Sequence, residues 1–223
     1  MLNKLPILSI ETSQNCCSAC VYFDENKFFE MSVNSKYSHA EKIFEIIDSV
    51  IKSSGLLLND LGAIAVSSGP GSFTGLRIGM SAAKGVAFGA SLPIIAVPTF
   101  EALAFQLSNA LKNGTEFVIA NKVNSEEIYF AKFKVKANNY IFAQDLQIVK
   151  STEDNLISED CLVYGNAVFK NISAGKIINI SYPKSEYVAK WAKQFCKDEL
   201  RFDYDFLEPN YFKNFIVKEK SNA

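Results

Sequence analysis

Apolar residues fall along this chain in two alternating rhythms. PILSIE (6–11), CSACVYF (17–23) and KFFEMSV (27–33) are short runs of aliphatic, aromatic and sulfur side chains, separated by SQN and DEN turn clusters. They predict a three-stranded antiparallel meander. From Ser38 the period lengthens. Ser38 and Glu41 make a Ser-x-x-Glu capping box ahead of Ile43, Ile46, Ile47, Val50 and Ile51, and Gly55 closes the segment, so a helix is expected there.

AIAVSS (63–68) is a continuous apolar run of the buried-strand type, and it leads through GPGSFTG into LRIGMSAAKGVAFGA, which predicts a helix to about residue 90. PIIAVP (93–98) reads as a strand and TFEALAFQLSNALK (99–112) as an amphipathic helix. The order β-β-β-α-β-α-β-α implies an α/β protein with a mixed sheet and helices packed on it. The rest repeats the theme less regularly. EFVIAN (116–121), EIYFAKFKV (127–135), YIFAQ (140–144), CLVYG (161–165) and KIINI (176–180) are strand candidates, and 185–197 fits a helix burying Val188, Trp191, Ala192 and Phe195. An N-terminal lobe over 1–105 and a smaller C-terminal α/β lobe over 106–223 are expected, with no short repeat between them.

Composition narrows the chemistry. With 223 residues, 48% hydrophobic, 21% charged and a net charge of -1, the chain has the profile of a globular protein with a sizeable core. A single histidine, His39, cannot supply a His-x3-His or His-Glu-x2-His zinc pair. Of 23 basic residues only Arg77 and Arg201 are arginine, and arginine is the residue best suited to bidentate phosphate contacts, so a nucleic-acid role is expected to be shared with a partner. Cys17 and Cys20 form a C-x2-C, but strand alternation sends them to opposite faces, as buried thiols of a reducing cytosol rather than a metal or disulfide pair. The amino terminus is too polar for a signal or membrane segment, and a cytoplasmic protein is expected.

Three features carry candidate chemistry. Glu11, Thr12 and Ser13 end the first strand, where a carboxylate and two hydroxyls either orient a metal-bound phosphate or satisfy their own backbone. Gly69, Gly71, Ser72, Thr74 and Gly75 lie between a buried strand and a helix, the setting of an anion or nucleotide loop or of a demanding turn. It is not a Walker A loop, because Leu76 and Arg77 follow Gly75. In the helix itself Gly75, Gly79, Ala83 and Ala87 recur every four residues beside Ser81, Gly85 and Gly89. Each mid-helix glycine costs about 1 kcal/mol relative to alanine, which a close approach must offset, within the chain or between chains. Lys132, Lys134 and Lys136 alternate along one strand, as on a charged sheet edge or an RNA-touching face. His39 in the first helical turn reads as a packing or surface residue.

Together ILSIETS, SHAEKIFEIIDSVI, AIAVSSGPGSFTGLRIGMSAAKGVAFGASLPIIAVPTFEALA and the late EPNYFK closely resemble the bacterial TsaB family, also called YeaZ. The likeness is continuous over roughly residues 6–105 and weaker beyond. It implies an ASKHA (actin-like, sugar-kinase-like) fold of two lobes and a role in making threonylcarbamoyladenosine at tRNA position 37. It further implies a non-catalytic activator that binds the catalytic relative TsaD, works with TsaE in a larger complex, forms a homodimer when alone and meets tRNA indirectly. TsaD carries a metal-binding His-x3-His where alignment places Thr99 and Leu103, so the resemblance implies no catalytic residue, no metal and no cofactor of this chain's own. A nucleotide at the partner junction stays open, with Glu11, Thr12, Ser13 and the 69–75 loop as its candidates.

The family's partner contact maps to residues 39–53 and 72–88, placing His39, Lys42, Ile43, Ile46, Ser72, Arg77, Gly79, Met80, Ala83 and Ala87 at an interface. Three departures stand out: Glu11 where aspartate is common, Ala120-Asn121-Lys122-Val123 in place of an Asp-Ala-Arg segment, and Pro209-Asn210-Tyr211-Phe212-Lys213 for Pro-x-Tyr-Leu-Arg. The alternative reading is an ATP-dependent small-molecule kinase or phosphohydrolase of the same superfamily. A metallopeptidase is disfavoured by the single histidine.

Overall fold

The computed structural model describes residues 5–34, 39–153, 156–157, 161–169, 177–196 and 200–212. The first three strands form where the apolar runs predict them: β1 (Ile7–Glu11), β2 (Cys16–Asp24) and β3 (Lys27–Asn34). After them come α1 (His39–Ser54), β4 (Ala63–Gly69), α2 (Phe73–Ala90), β5 (Ile94–Pro98) and α3 (Thr99–Ser108). The second half holds β6 (Glu116–Lys122), β7 (Glu127–Lys136), β8 (Asn139–Lys150), β9 (Leu162–Gly165), β10 (Ile177–Ile178) and α4 (Ser185–Phe195). The capping box at Ser38 lies outside the described residues. Gly55 does end α1, with φ at +74°, a value glycine adopts without a Cβ penalty.

Two five-stranded sheets result, with orders β3-β2-β1-β4-β5 and β10-β9-β6-β7-β8. Read from the other end, the second order is β8-β7-β6-β9-β10, so each half places its strands identically. In both, a meander of three antiparallel strands is followed by two parallel ones. Nothing in the residues themselves repeats. The duplication is one of topology, and it gives the two-lobed α/β architecture expected of the ASKHA fold.

Strand β1 lies at the centre of its sheet and is buried throughout. Leu8 and Ile10 face α1 and α2 in one core, while Ile7 faces α4 in another. The same alternation puts Cys17 in the first core and Cys20 in the second, and burial pushes the Cys17 thiol up to about 12. Ser9, on the α4 face, donates to the Ser185 carbonyl at 2.6 Å, which supplies the partner a buried hydroxyl needs.

Helices α3 and α4 tie the halves together. Phe100, Leu103, Ala104 and Leu107 of α3 pack with Phe117, Ile119 and Phe133 of the second sheet, whereas Ala102 and Phe105 join the α4 core under the first. Although late in sequence, α4 lies on the first sheet. The Glu30 carboxylate of β3 accepts the Ser185 hydroxyl at 2.7 Å and the Glu186 amide at 3.0 Å, so the N-terminus of α4 is capped by a strand some 155 positions earlier.

Several expectations are corrected. The 99–112 helix stops at Ser108, where the Asn109 amide side chain bonds the Phe105 carbonyl. The 140–144 strand extends to the twelve residues of β8, since β7 offers a partner along most of its length. Lys132, Lys134 and Lys136 do not mark an edge, because β7 lies between β6 and β8. Lys132 and Lys134 instead pair with Glu116 at 2.8 and 3.5 Å across the β6–β7 register. No helix among the described residues is long and apolar enough to cross a membrane.

Candidate functional site

The β1–β2 turn, the loop after β4 and the segment 209–212 converge on one another. The β1 strand delivers Glu11 fully buried. Its Oε1 accepts the Ser13 amide and hydroxyl, each at 2.5 Å, and its Oε2 accepts the Ser67 hydroxyl. These donors favour the ionised carboxylate, but burial outweighs them and the acid is pushed up to about 7.

The glycines of the loop allow backbones to meet. Gly69 has φ +112°, and a Cβ there would sit 2.7 Å from the Asn210 carbonyl oxygen. A Cβ at Gly71 would meet the Ser13 carbonyl oxygen, and one at Gly75 the Thr12 carbonyl oxygen. The loop is thus clamped between the first turn and the late segment. The Gly69 amide donates to Thr99 Oγ1 at 3.0 Å, the Ser72 amide to the Ser13 carbonyl at 2.7 Å and the Gly75 amide to Ser72 Oγ at 3.2 Å. These three amides are turned to protein oxygens rather than outward. Thr74 stays exposed at the first turn of α2, while Thr12 Oγ1 donates to the Gly75 carbonyl at 2.8 Å.

The small-residue stripe divides in two. Gly75, Gly79, Ala83 and Ala87 are buried within the chain, and a Cβ at Gly79 would fall on Thr12 Oγ1. That face is a core contact, not surface. Gly85 and Gly89 have nothing within 4 Å of a Cβ position and, with Ser81, lie on the exposed side. Within one chain their helix cost has no offset.

The residues expected at a partner interface therefore separate. His39 is buried with Nε2 at 2.8 Å from the Gln14 carbonyl and 3.1 Å from that of Cys16. Ile43, Ile46, Gly79, Met80, Ala83 and Ala87 are likewise buried against the first sheet. The apolar faces of α1 and α2 cover the sheet. Lys42, Ser72 and Arg77 remain accessible. Arg77 lies over the Phe73 ring at 3.9 Å, and its Nε donates to the Tyr211 hydroxyl at 2.9 Å. The outer sides of α1 and α2 carry Phe44, 56% exposed, and Phe88, 77% exposed.

Thr99 accepts the Gly69 amide in full burial, and Leu103 lies in the core against the second sheet. Among the described residues no three His, Cys, Asp or Glu side chains gather as a metal site. Sequence reasoning missed Ser67 and Asn210. Ser67 could have been suspected as a polar residue at the end of the apolar run AIAVSS, whereas Asn210, whose backbone amide donates to the Ser68 carbonyl at 2.7 Å, was marked only as part of the late EPNYFK likeness.

Known proteins resemble this chain in sequence and in fold. The profile of the family TsaD, tRNA N6-adenosine threonylcarbamoyltransferase, matches residues 33–209. The tRNA threonylcarbamoyladenosine biosynthesis protein TsaB of Haemophilus influenzae is 27% identical over 236 aligned positions, covering 98% of each chain. The Escherichia coli protein of that name is 33% identical over 150, or 66% of this chain and 63% of its own. The solved structure of YeaZ from Pseudomonas aeruginosa shares the fold with a TM-score of 0.74 at 19% identity, covering 93% of this chain and 99% of that one. The chain belongs to the TsaD family of tRNA N6-adenosine threonylcarbamoyltransferase proteins and, within it, to the TsaB (YeaZ) group.

Proposed function

We propose that this protein serves in tRNA threonylcarbamoyladenosine biosynthesis as a non-catalytic activator that binds a TsaD-type transferase in the cytoplasm. The observation that carries the reading is the fate of Thr99 and Leu103. In the resemblance to TsaD they stand where metal-binding histidines do, and here a threonine hydroxyl ties down the 69–75 loop while a leucine fills the core. The engagement of the Gly69, Ser72 and Gly75 amides by protein oxygens further supports an activator over an ATP-dependent kinase or phosphohydrolase.

The partner would meet the outer sides of α1 and α2. Gly85 and Gly89 leave room for a second backbone, and Phe44 and Phe88 supply apolar surface flanked by Lys42 and Lys84. The same surface would serve self-association when the partner is absent, with TsaE joining the larger complex and tRNA held mainly by the transferase. Threonylcarbamoyl transfer to tRNA by TsaD and TsaE, measured with and without this chain, tests the role. Activity should depend on its presence; unchanged activity refutes the reading, and ATP hydrolysis by the isolated chain favours the kinase-like alternative. Gly85→Leu should abolish co-elution with TsaD while leaving the helical circular dichroism intact.

A further inference from the structure

A cavity of about 260 Å³ opens beside the 69–75 loop, between the start of α3 and strand β8. Its walls include Pro70, Phe100, Phe142 and Phe212, and two carboxylates, Glu101 and Asp145, line it. Glu101 is held by the Tyr140 hydroxyl, which donates to Oε2 at 2.5 Å and accepts Trp191 Nε1–H at 2.9 Å. Phe142 is fixed against Phe133 and Tyr140, with ring centroids 4.8 and 6.0 Å away. Neither carboxylate is ion-paired with a described residue.

We propose that this cavity binds a guanidinium on a short apolar stem, carried by a free small guanidine or by an arginine side chain. The cavity stands at the small end of the range of ligand pockets, which suits a ligand of few heavy atoms. Two carboxylates with no ion pair among the described residues select a cation, which an aromatic ring attracts at its face while the apolar walls cover its stem. A planar guanidinium satisfies both demands better than an ammonium, since it stacks on a ring and forks to a carboxylate in one pose.

N-Butylguanidine and its neutral isostere N-butylurea, titrated into the full chain by calorimetry and by the emission of Trp191, test the proposal. Trp191 is the sole tryptophan, and its bond to Tyr140 places it two hydrogen bonds from Glu101. The guanidine should bind saturably and the urea at least tenfold more weakly. Asp145→Asn, on the exposed face of β8, should weaken the guanidine about tenfold, as the loss of one charge-assisted contact does. Glu101→Gln should do the same and also alter the Trp191 response. Matching affinity for capped acetyl-arginine methylamide would assign the source to an arginine side chain, and binding of butylguanidine alone to a free guanidine. Equal binding of the urea, full affinity in Asp145→Asn, or no saturable heat or emission change at tens of millimolar overturns the assignment.

Discussion

Replacing glycine by alanine at two points of α2 should change stability in opposite directions. Residues 75 and 85 belong to one helix, and by intrinsic helix propensity alone either substitution gains up to about 1 kcal/mol. At Gly85 nothing lies within 4 Å of the new Cβ, so Gly85→Ala should stabilise by about 0.5 to 1 kcal/mol. At Gly75 the Cβ would fall on the backbone carbonyl of Thr12, and Thr12 Oγ1 bonds the Gly75 carbonyl. Relieving that overlap costs about 1–3 kcal/mol of overpacking strain, and the strained hydrogen bond adds about 1. After the helix gain is subtracted, Gly75→Ala should lose about 1–3 kcal/mol. Urea unfolding followed by circular dichroism reads both, and for a chain of this length each kcal/mol moves Tm by roughly 2–4 °C. Wild-type stability in Gly75→Ala, or a loss in Gly85→Ala, would refute the assignment of the two helix faces.

Glu11 predicts a pH dependence. Its acid stands raised from 4.5 to about 7 in the folded chain, so the folded state binds the extra proton between those values. Its contribution is fully present below about 4.5 and is lost as pH rises through about 7, a change on the order of 3 kcal/mol. Urea midpoints across pH 4–8 should show that fall, and Glu11→Gln should flatten it; an identical slope in the variant contradicts the burial argument. Glu30→Ala should loosen α4 by about 1 kcal/mol through loss of its cap, visible as faster amide exchange around Trp191, whereas Glu30→Gln should retain most of the protection. Phe88→Ala should weaken co-elution with TsaD without lowering Tm, since the ring is 77% exposed.

The local pattern was enough for most elements. Alternation and the 3–4 spacing located β1 to β5 and α1 to α3, and the split of Cys17 from Cys20 followed from strand geometry alone. The GPGSFTG block was legible as a special turn because glycine has few other reasons to cluster between a buried strand and a helix. Its close packing is tertiary: the Gly69, Ser72 and Gly75 amides reach Thr99, Ser13 and Ser72 oxygens, of which Thr99 and Ser13 lie far off in the chain.

Which way a helix turns is beyond a local reading. An α2 face lined with glycine and alanine suits the sheet below as well as a partner outside, because both reward close approach. Thr12, brought in from the first turn, decided that Gly75 and Gly79 face inward and left Gly85 and Gly89 outside. Likewise Lys132 and Lys134 suggested a sheet edge until β8 paired along β7. Sequence by itself determined the elements, the special loop and the family likeness, since these depend on neighbours within a few residues. Tertiary structure decided the sides of α2, the cap that Glu30 places on α4, the burial that raises the Glu11 acid and the repeated strand order, because each depends on residues far apart in the chain.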